Sequence, residues 1–113
     1  MIIKCGIDLV YLPRFKQSVS RGGENFLRRV FTERELIHFE TLHLAGIFAA
    51  KEAVMKALSL PTNSWHDIHI SYQSNGAPRI QISNFKFQIS NSSLSISHDG
   101  TYVIAQFVAM IKE

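Results

Sequence analysis

Apolar and polar residues alternate over the start of the chain, which is the pattern of a half-buried β-strand. A strand is predicted from Ile2 to Val10. One of its faces carries four apolar side chains that we expect to face the core, namely Ile3, Cys5, Ile7 and Leu9. Asp8 lies on the opposite face. Cys5 is expected to pack in the core face of this strand rather than to be a reactive thiol.

The next fifty residues have the spacing and the end signals of helices. Pro13 suits a helix start, whereas two glycines at 22–23 break the pattern. Thr32 and Glu35 have the spacing of a capping box, which places a helix start at Glu33. Pro61 ends the last helix. The predicted helices cover residues 13–20, 24–30, 33–42 and 44–59.

After Pro61 the alternation of a strand returns. Hairpin turns are predicted at Asn75-Gly76 and at Asp99-Gly100, and a loop is predicted over residues 90–93. The predicted strands cover residues 68–72, 79–82, 85–89, 94–98 and 102–111. An N-terminal strand and helices followed by an antiparallel β-meander indicate an α+β fold.

The composition is that of an ordinary globular protein. A length of 113 residues, 46% of them hydrophobic and 19% charged, predicts one domain over residues 1–113 and excludes a disordered chain. No apolar run approaches the roughly 20 residues of a membrane helix, and the N-terminus lacks the pattern of a signal peptide. Cys5 is the only cysteine, so no internal disulfide is possible. We therefore expect a cytoplasmic protein with no membrane partner.

Positive charge is concentrated in the first half of the chain. Residues 1–60 have a net charge of +3 and residues 61–113 a net charge of zero. Six basic residues lie within a short segment, namely Arg14, Lys16, Arg21, Arg28, Arg29 and Arg34. Such a cluster favours an acidic partner, which can be a nucleic acid, a phosphate ligand or an acidic protein. The alternative is a solvated surface without a partner.

The segment from Phe48 to Leu58 combines an apolar helix with charged residues. Apolar or alanine side chains cover almost all of its circumference, yet it carries Lys51, Glu52 and Lys56. Charged groups on a buried helix are costly unless a partner, a metal or a ligand meets them. Glu52 and Lys56 lie one turn apart. Their carboxylate and ammonium groups can hold a divalent cation and a phosphate side by side.

Asp8 and Glu52 are the candidate magnesium ligands. Magnesium sites typically use one or two carboxylates, with waters and substrate phosphates completing the octahedron. Two acidic residues beside Lys56 therefore suffice for metal-assisted phosphoryl transfer. The structural alternatives are that Asp8 terminates its strand and that Glu52 pairs with a lysine. Spacing alone does not show that the two carboxylates meet.

Five segments, in order along the chain, resemble the sequence blocks of the holo-[acyl-carrier-protein] synthases, which belong to the 4'-phosphopantetheinyl transferase superfamily. They are Gly6 to Val10 with Arg14, Phe31 to Glu35, Phe48 to Ala57, Asn75 to Pro78, and Leu94 to His98. The resemblance spans nearly the whole chain. It implies a magnesium-dependent enzyme of fatty acid biosynthesis. That enzyme transfers 4'-phosphopantetheine from coenzyme A to a serine of the apo-carrier and leaves adenosine 3',5'-bisphosphate.

The resemblance also implies roles for individual residues. Asp8 and Glu52 match the family's magnesium ligands, Lys56 the lysine near the pyrophosphate of coenzyme A, and His98 a histidine that contacts this cofactor. Either Glu52 or a metal-bound water would take the proton of the serine.

Two arginines are implied to bind the partner protein. Arg14 matches an arginine that engages the acidic carrier protein, and Arg21 extends the same basic segment. Short members of the family assemble as homotrimers with sites between subunits, so a trimer is expected here. Nucleic acid is not an expected partner, because the aromatic residues among the basic ones fall at core spacings.

This chain departs from the family pattern in two places. Ile47 stands where the family commonly has arginine, and the segment from Leu58 to Pro61 lacks the usual glycine. A non-catalytic relative, or a basic module that docks a carrier protein, therefore remains the alternative. His66 and His69 are expected to belong to a polar strand rather than a metal site. Lys51 is expected to meet a ligand phosphate, a carboxylate or a neighbouring subunit.

Overall fold

The computed structural model describes residues 1–37 and 40–112. The elements, in chain order, are β1 (Ile2–Tyr11), α1 (Leu12–Val30), α2 (Glu33–Leu36), α3 (Thr41–Leu58), a single 3₁₀ turn (Trp65–Asp67), β2 (Ile68–Tyr72), β3 (Pro78–Ile82), β4 (Gln88–Asp99) and β5 (Tyr102–Lys112). An N-terminal strand and helices thus precede antiparallel strands, and the predicted α+β fold is confirmed.

The strands form two antiparallel sheets. One has the order β1–β5–β4, and the other is the β2–β3 hairpin. The first strand of the chain therefore lies beside the last one. In this register Asp8 is opposite Ala105, and Ala105 is opposite Ile96 on the other side.

Helix α3 covers the inner face of the larger sheet. Its alanines are almost completely buried, which lets the helix approach the strands closely. Gly6 on β1 is the closest point, because a Cβ atom there would overlap the carbonyl oxygen of Ala53. This approach places Asp8, two residues further along β1, beside the second half of α3.

The predicted orientation of β1 is wrong. Gly6 and Val10 are buried, whereas Ile3 is 69% and Leu9 61% exposed, and Cys5 is exposed too. The more apolar face of the strand therefore points away from α3. The physical reason is that the helix backbone occupies the space above Gly6, and only the face with a glycine at this point can accommodate it.

The helical half differs from the prediction in its boundaries. Helix α1 runs over both segments predicted there, and Gly23 supplies the predicted break as a kink with φ 51° and ψ −138°. The capping box of Thr32 and Glu35 is confirmed. The helix predicted to reach residue 42 is wrong, however, because α2 ends at Leu36 and α3 begins at Thr41. Residues 38 and 39 lie outside the described residues.

The loop predicted over residues 90–93 and the strand predicted over 85–89 are also wrong. Strand β4 runs unbroken from Gln88 to Asp99, with an irregularity between Ile89 and Asn91. Pairing with β5 along its whole length outweighs the turn-forming tendency of the serine and asparagine residues. Phe85 precedes the strand and packs against the core.

Candidate active site

Strand β1 and helix α3 bring Asp8 and Lys56 into contact. Lys56 Nζ donates to Asp8 Oδ1 at 2.9 Å and to the main-chain oxygen of Ile7 at 3.0 Å. The Asp8 side chain is 14% exposed and that of Lys56 54% exposed. The ammonium group is therefore half exposed beside Asp8 rather than in the core, so it can also meet a ligand.

Glu52 lies one helical turn before Lys56, on the side of α3 that faces β1. Burial is the main cause that raises the pKa of the Glu52 carboxyl, and the negative charge of Asp8 raises it further. Lys56 acts in the opposite direction. The negative charge of Asp8 therefore acts on Glu52, and both side chains line the same cleft, so the fold brings residues 8 and 52 near each other.

Asp8 and Glu52 lie in a cleft of about 250 Å³ between β1, α1 and α3. Helix α1 contributes Arg14, Phe15 and Ser18 to its wall, and α3 contributes Phe48. The Arg14 guanidinium lies 6.0 Å from the centre of the Tyr11 ring, which also lines the cleft. One end of the cleft is therefore acidic, while a cation and aromatic rings line the remainder.

The acidic end fits a magnesium ion. The two carboxylates provide oxygen ligands, and water or phosphate oxygens can complete an octahedron from the open cleft. Within the described parts of the chain, no group of three His, Cys, Asp or Glu side chains is arranged to hold a metal. A three-ligand site of the zinc type is thus not found among those residues, and the donor set that the cleft offers is the two carboxylates.

His98 does not meet these residues within one chain. It lines a second cleft of about 240 Å³, together with Glu40, His43, Gly46 and Tyr72. In the sheet His98 is opposite Val103. Val103 lies two residues along β5 from Ala105, which is opposite Asp8. The prediction that His98 contributes to the site is consistent with this position only if two chains share a site.

Lys51 is fully buried and meets a carboxylate, one of the three outcomes expected for it. Its Nζ lies 2.7 Å from Glu35 Oε1 and donates to the main-chain oxygens of Val30 (2.8 Å) and Trp65 (2.9 Å). In the sequence, the spacing of Thr32 and Glu35 marks Glu35 only as part of a capping box. The missed signal is that an apolar helix with a lysine on its buried side requires an anion elsewhere in the core.

The two histidines near the start of β2 make separate contacts. His66 Nε2 lies 2.7 Å from the main-chain oxygen of Arg28, and His69 Nδ1 lies 3.1 Å from Thr32 Oγ1. Only His69 belongs to the strand, because His66 lies in the 3₁₀ turn before it. His66 therefore joins the β2 region to the end of α1, and His69 joins it to the start of α2.

Known proteins resemble this chain over its whole length. Residues 4–107 match the family model of the 4'-phosphopantetheinyl transferase superfamily. A holo-[acyl-carrier-protein] synthase from Caldicellulosiruptor saccharolyticus is 40% identical over 125 residues, with all of both chains covered. The chain belongs to the 4'-phosphopantetheinyl transferase superfamily. The resemblance stated from the five segments is confirmed.

Further relatives agree with this assignment to the 4'-phosphopantetheinyl transferases. The holo-[acyl-carrier-protein] synthase of Protochlamydia amoebophila is 39% identical over 116 residues, covering 93% of this chain and 95% of the relative. The Helicobacter pylori holo-[acyl-carrier-protein] synthase, solved in complex with coenzyme A, has a TM-score of 0.84 at 35% identity. That match covers 94% of this chain and 99% of the other. The predicted enzyme class is thereby confirmed.

Both departures from the transferase pattern have a structural context. Ile47 is buried and lines a cavity of about 300 Å³ that also contains Arg34, His43 and His69. Although position 47 is not an arginine, other basic side chains therefore line the same cavity. After α3, Ser59 adopts the left-handed conformation, with φ 53° and ψ 45°, that glycine adopts most readily. The helix therefore ends as a glycine-capped helix does, without the glycine.

Proposed function

We propose that this chain transfers 4'-phosphopantetheine from coenzyme A to a serine of an apo-acyl carrier protein and releases adenosine 3',5'-bisphosphate. The observation that carries the proposal is that Asp8 and Glu52 line one open cleft while Lys56 contacts Asp8. The full-length similarity to holo-[acyl-carrier-protein] synthases, one of them bound to coenzyme A, supports the choice of substrates.

In this reaction the serine oxygen forms a bond to the β-phosphorus of coenzyme A, and the bond from that phosphorus to the bridging oxygen breaks. Both the attacked phosphate and the departing bisphosphate are anionic. Lys56 Nζ, already held beside the cleft residue Asp8 by its contacts with Asp8 and Ile7, is placed to offset this charge. The proton of the serine passes to the Glu52 carboxylate or to a water molecule in the cleft.

Magnesium is the proposed cofactor, and Asp8 and Glu52 are the residues that would hold it. The resemblance to the holo-[acyl-carrier-protein] synthases implies this ion. When bound, magnesium supplies positive charge beside the phosphates of coenzyme A. It would also relieve the repulsion between the two carboxylates, which is one of the causes that raise the pKa of Glu52.

The carrier protein is proposed to dock on α1 through Arg14 and Arg21. These residues are seven positions apart, so they lie on one side of the helix, and both are exposed. Arg28 is less suited, because it is paired with Glu24 at 2.6 Å and approaches Glu33 at 3.8 Å. Arg14 lines the cleft itself, so a carrier bound there would present its serine to the acidic end.

We propose a homotrimer with shared sites, in which the outer face of the larger sheet forms the contact between subunits. In β1 and β5 that face exposes large apolar side chains, namely Ile3, Ile7, Leu9, Tyr11, Tyr102, Ile104 and Met110. Continuous apolar surface of this kind marks an interaction site. Contact between copies through this face would cover it and would let His98 of one chain approach Asp8 and Glu52 of another.

The domain organisation and the cellular compartment complete the proposed function. We assign all 113 residues to one transferase domain, since the family model spans residues 4–107. We also place the enzyme in the cytoplasm, because its one cysteine is free and exposed, as is usual in reducing compartments. Within the described residues, no helix is both long and apolar enough to cross a membrane.

The activity is tested by mass spectrometry of the carrier. Apo-carrier protein is incubated with the enzyme, coenzyme A and magnesium, and its mass is expected to increase by one phosphopantetheine group. Absence of a mass increase across several carriers would contradict the proposal. Coenzyme A binding without transfer would instead identify a non-catalytic relative, the alternative that Ile47 keeps open.

Shared sites are tested by mixing two inactive variants, Asp8→Asn and His98→Ala. If Asp8 and His98 act across a subunit boundary, exchange of subunits creates some sites with both native residues, and activity returns. Each variant alone serves as the control. A mixture that exchanges subunits, as checked by native mass spectrometry, yet stays inactive would contradict the shared site.

A further inference from the structure

The buried ion pair between Lys51 and Glu35 lies outside the cleft but adjoins it along α3. Lys51 is the residue before Glu52, so its side chain points about 100° away from that of Glu52 around the helix, and about 140° away from that of Lys56. The side chains of Lys51 and Glu35 are both 0% exposed. Neither group can therefore contact a ligand in the cleft, and the chemistry proposed above leaves both unused.

The pair joins α3 to four other segments. The ammonium group of Lys51 has three hydrogens, and they meet the end of α1 at Val30, the 3₁₀ turn at Trp65, and Glu35 on α2. The Glu35 carboxylate also accepts from the main-chain N–H groups of Thr32 and Ile70, each at 2.8 Å. We call Lys51, Glu35 and these main-chain partners the α3 clamp.

A buried ion pair of this kind is a poor source of stability. Desolvation is the main cause that lowers the pKa of Lys51, and the attraction of Glu35 opposes it. Well-packed apolar residues often replace such pairs with no loss of stability. The α3 clamp instead fixes orientation. Its charge-assisted hydrogen bonds hold the lysine in one place, and this fixes the rotation of α3 about its axis.

The rotation of α3 decides whether the cleft is assembled. Glu52 and Lys56 sit on α3, whereas Asp8 sits on β1, so the relative position of the two elements sets every distance between them. A rotation of about 20° would move a carboxylate roughly 6 Å from the helix axis by about 2 Å. Displacements of 1 Å at a reacting centre can cost about a hundredfold in rate.

We propose that Lys51 and Glu35 are positioning residues, which orient α3 so that Glu52 and Lys56 face Asp8. The proposal rests on the proposed function, because it assigns these residues a part in the same reaction. It predicts that the ion pair is required for transfer and for magnesium binding beyond its effect on stability.

The test compares Glu35→Gln, Lys51→Met and the double variant with the wild-type chain. Each single change leaves a buried charge without its partner, whereas the double change leaves none and is expected to recover much of the thermal stability. For the double variant we still expect kcat, at saturating coenzyme A and carrier, to fall at least tenfold. The magnesium concentration that half-saturates both the rate and the thermal stabilisation of the free protein should rise.

The matched control is Ile111→Ala, which removes buried side-chain volume near the far end of β5 from the cleft. It should lower the melting temperature while kcat and the magnesium dependence stay within twofold of wild type. A double variant that behaves like this control would overturn the proposal. Should Lys51→Met fail to fold, Glu35→Gln alone is compared with the control by the same criteria.

The two proposals fail in different ways. A wild-type chain that transfers nothing contradicts the proposed function, and the magnesium-dependent stabilisation of the free protein then decides the positioning role alone. A wild-type chain that is active, with variants of unchanged kcat and magnesium dependence, contradicts only the positioning role.

Discussion

Lys56 Nζ lies 2.9 Å from Asp8 Oδ1, so one ion pair connects the first strand of the chain to the helix that carries Glu52. The same ammonium group also meets the main-chain oxygen of Ile7 at 3.0 Å. These contacts fix the position of a cation that remains half exposed beside Asp8. A group held in this way has little reorganisation to undergo when phosphate arrives.

Replacement of Lys56 by methionine should therefore affect activity far more than stability. We expect kcat/KM for coenzyme A to fall by about 10²–10³-fold, in the range found when one electrostatic donor is removed from an active site. The unfolding free energy should change by less than about 1 kcal/mol, because the ion pair is partly exposed. Steady-state kinetics and denaturant unfolding measure the two effects. Lys56→Arg keeps the charge and should retain more activity, and equal activity of wild type and Lys56→Met would exclude the assigned role.

Gly6 is expected to be essential for the approach of β1 to α3. A Cβ atom at this position meets the main chain at Ala53, which cannot move aside as a side chain can. Gly6→Ala should lower the unfolding free energy by about 1–3 kcal/mol, as overpacking typically does. It should also reduce transfer, since Asp8 lies two residues along the strand. Lys4→Ala, on the same strand but exposed, is the control. A fully stable and active Gly6→Ala variant would mean that this close approach is not required.

The fold class and the candidate residues of the acidic end of the cleft could be predicted from the sequence. Local spacing was sufficient to select Asp8, Glu52 and Lys56 as candidates, and the resemblance supplied the expectation that Asp8 lies near the other two. The orientation of β1 could not be predicted, since Ile3 and Leu9 make the outward face the more apolar one. Which face of β1 meets α3 depends on the contact between Gly6 and Ala53, two residues that are distant in sequence.

Two further features depended on long-range contacts. The partner of Lys51 could not be chosen because Glu35 is sixteen residues away, on another element, and also matches a purely local capping motif. The separation of His98 from Asp8 follows from the strand order, in which β5 lies between β1 and β4. No local pattern encodes that order.

The raised pKa of Glu52 predicts a specific dependence of stability on pH. The folded chain holds a proton on Glu52 at pH values where the unfolded chain, with a pKa near 4.5, has lost it. The unfolding free energy contributed by this group is therefore complete below that pKa and is lost as the pH rises through the folded value. With a chelator present, wild type should lose stability relative to Glu52→Gln as the pH increases above about 4.5. Parallel stability curves for the two proteins would show that the carboxyl is not perturbed.

Ser59 is predicted to be a site where glycine stabilises the chain. Its φ of 53° places a side chain in the left-handed region, which costs an ordinary residue about 1–2 kcal/mol. Ser59→Gly should raise the unfolding free energy by about 1 kcal/mol, after the higher chain entropy of glycine is subtracted. Asn84, with φ 59°, is the matched comparison, and Asn84→Gly should gain less because asparagine tolerates this conformation. Denaturation midpoints measure both changes, and a loss of stability in Ser59→Gly would contradict the strain assigned to Ser59.

The central claim is that Asp8 and Glu52 form the magnesium site that supports transfer to the carrier. It is tested most directly by the mass of apo-carrier protein after incubation with coenzyme A and either wild type, Asp8→Asn or Glu52→Gln, over a series of magnesium concentrations. The account predicts a full phosphopantetheine increment with wild type that disappears with chelator, and a rate at least a hundredfold lower with either variant. Transfer by either variant at the wild-type rate, with the same magnesium dependence, would contradict it.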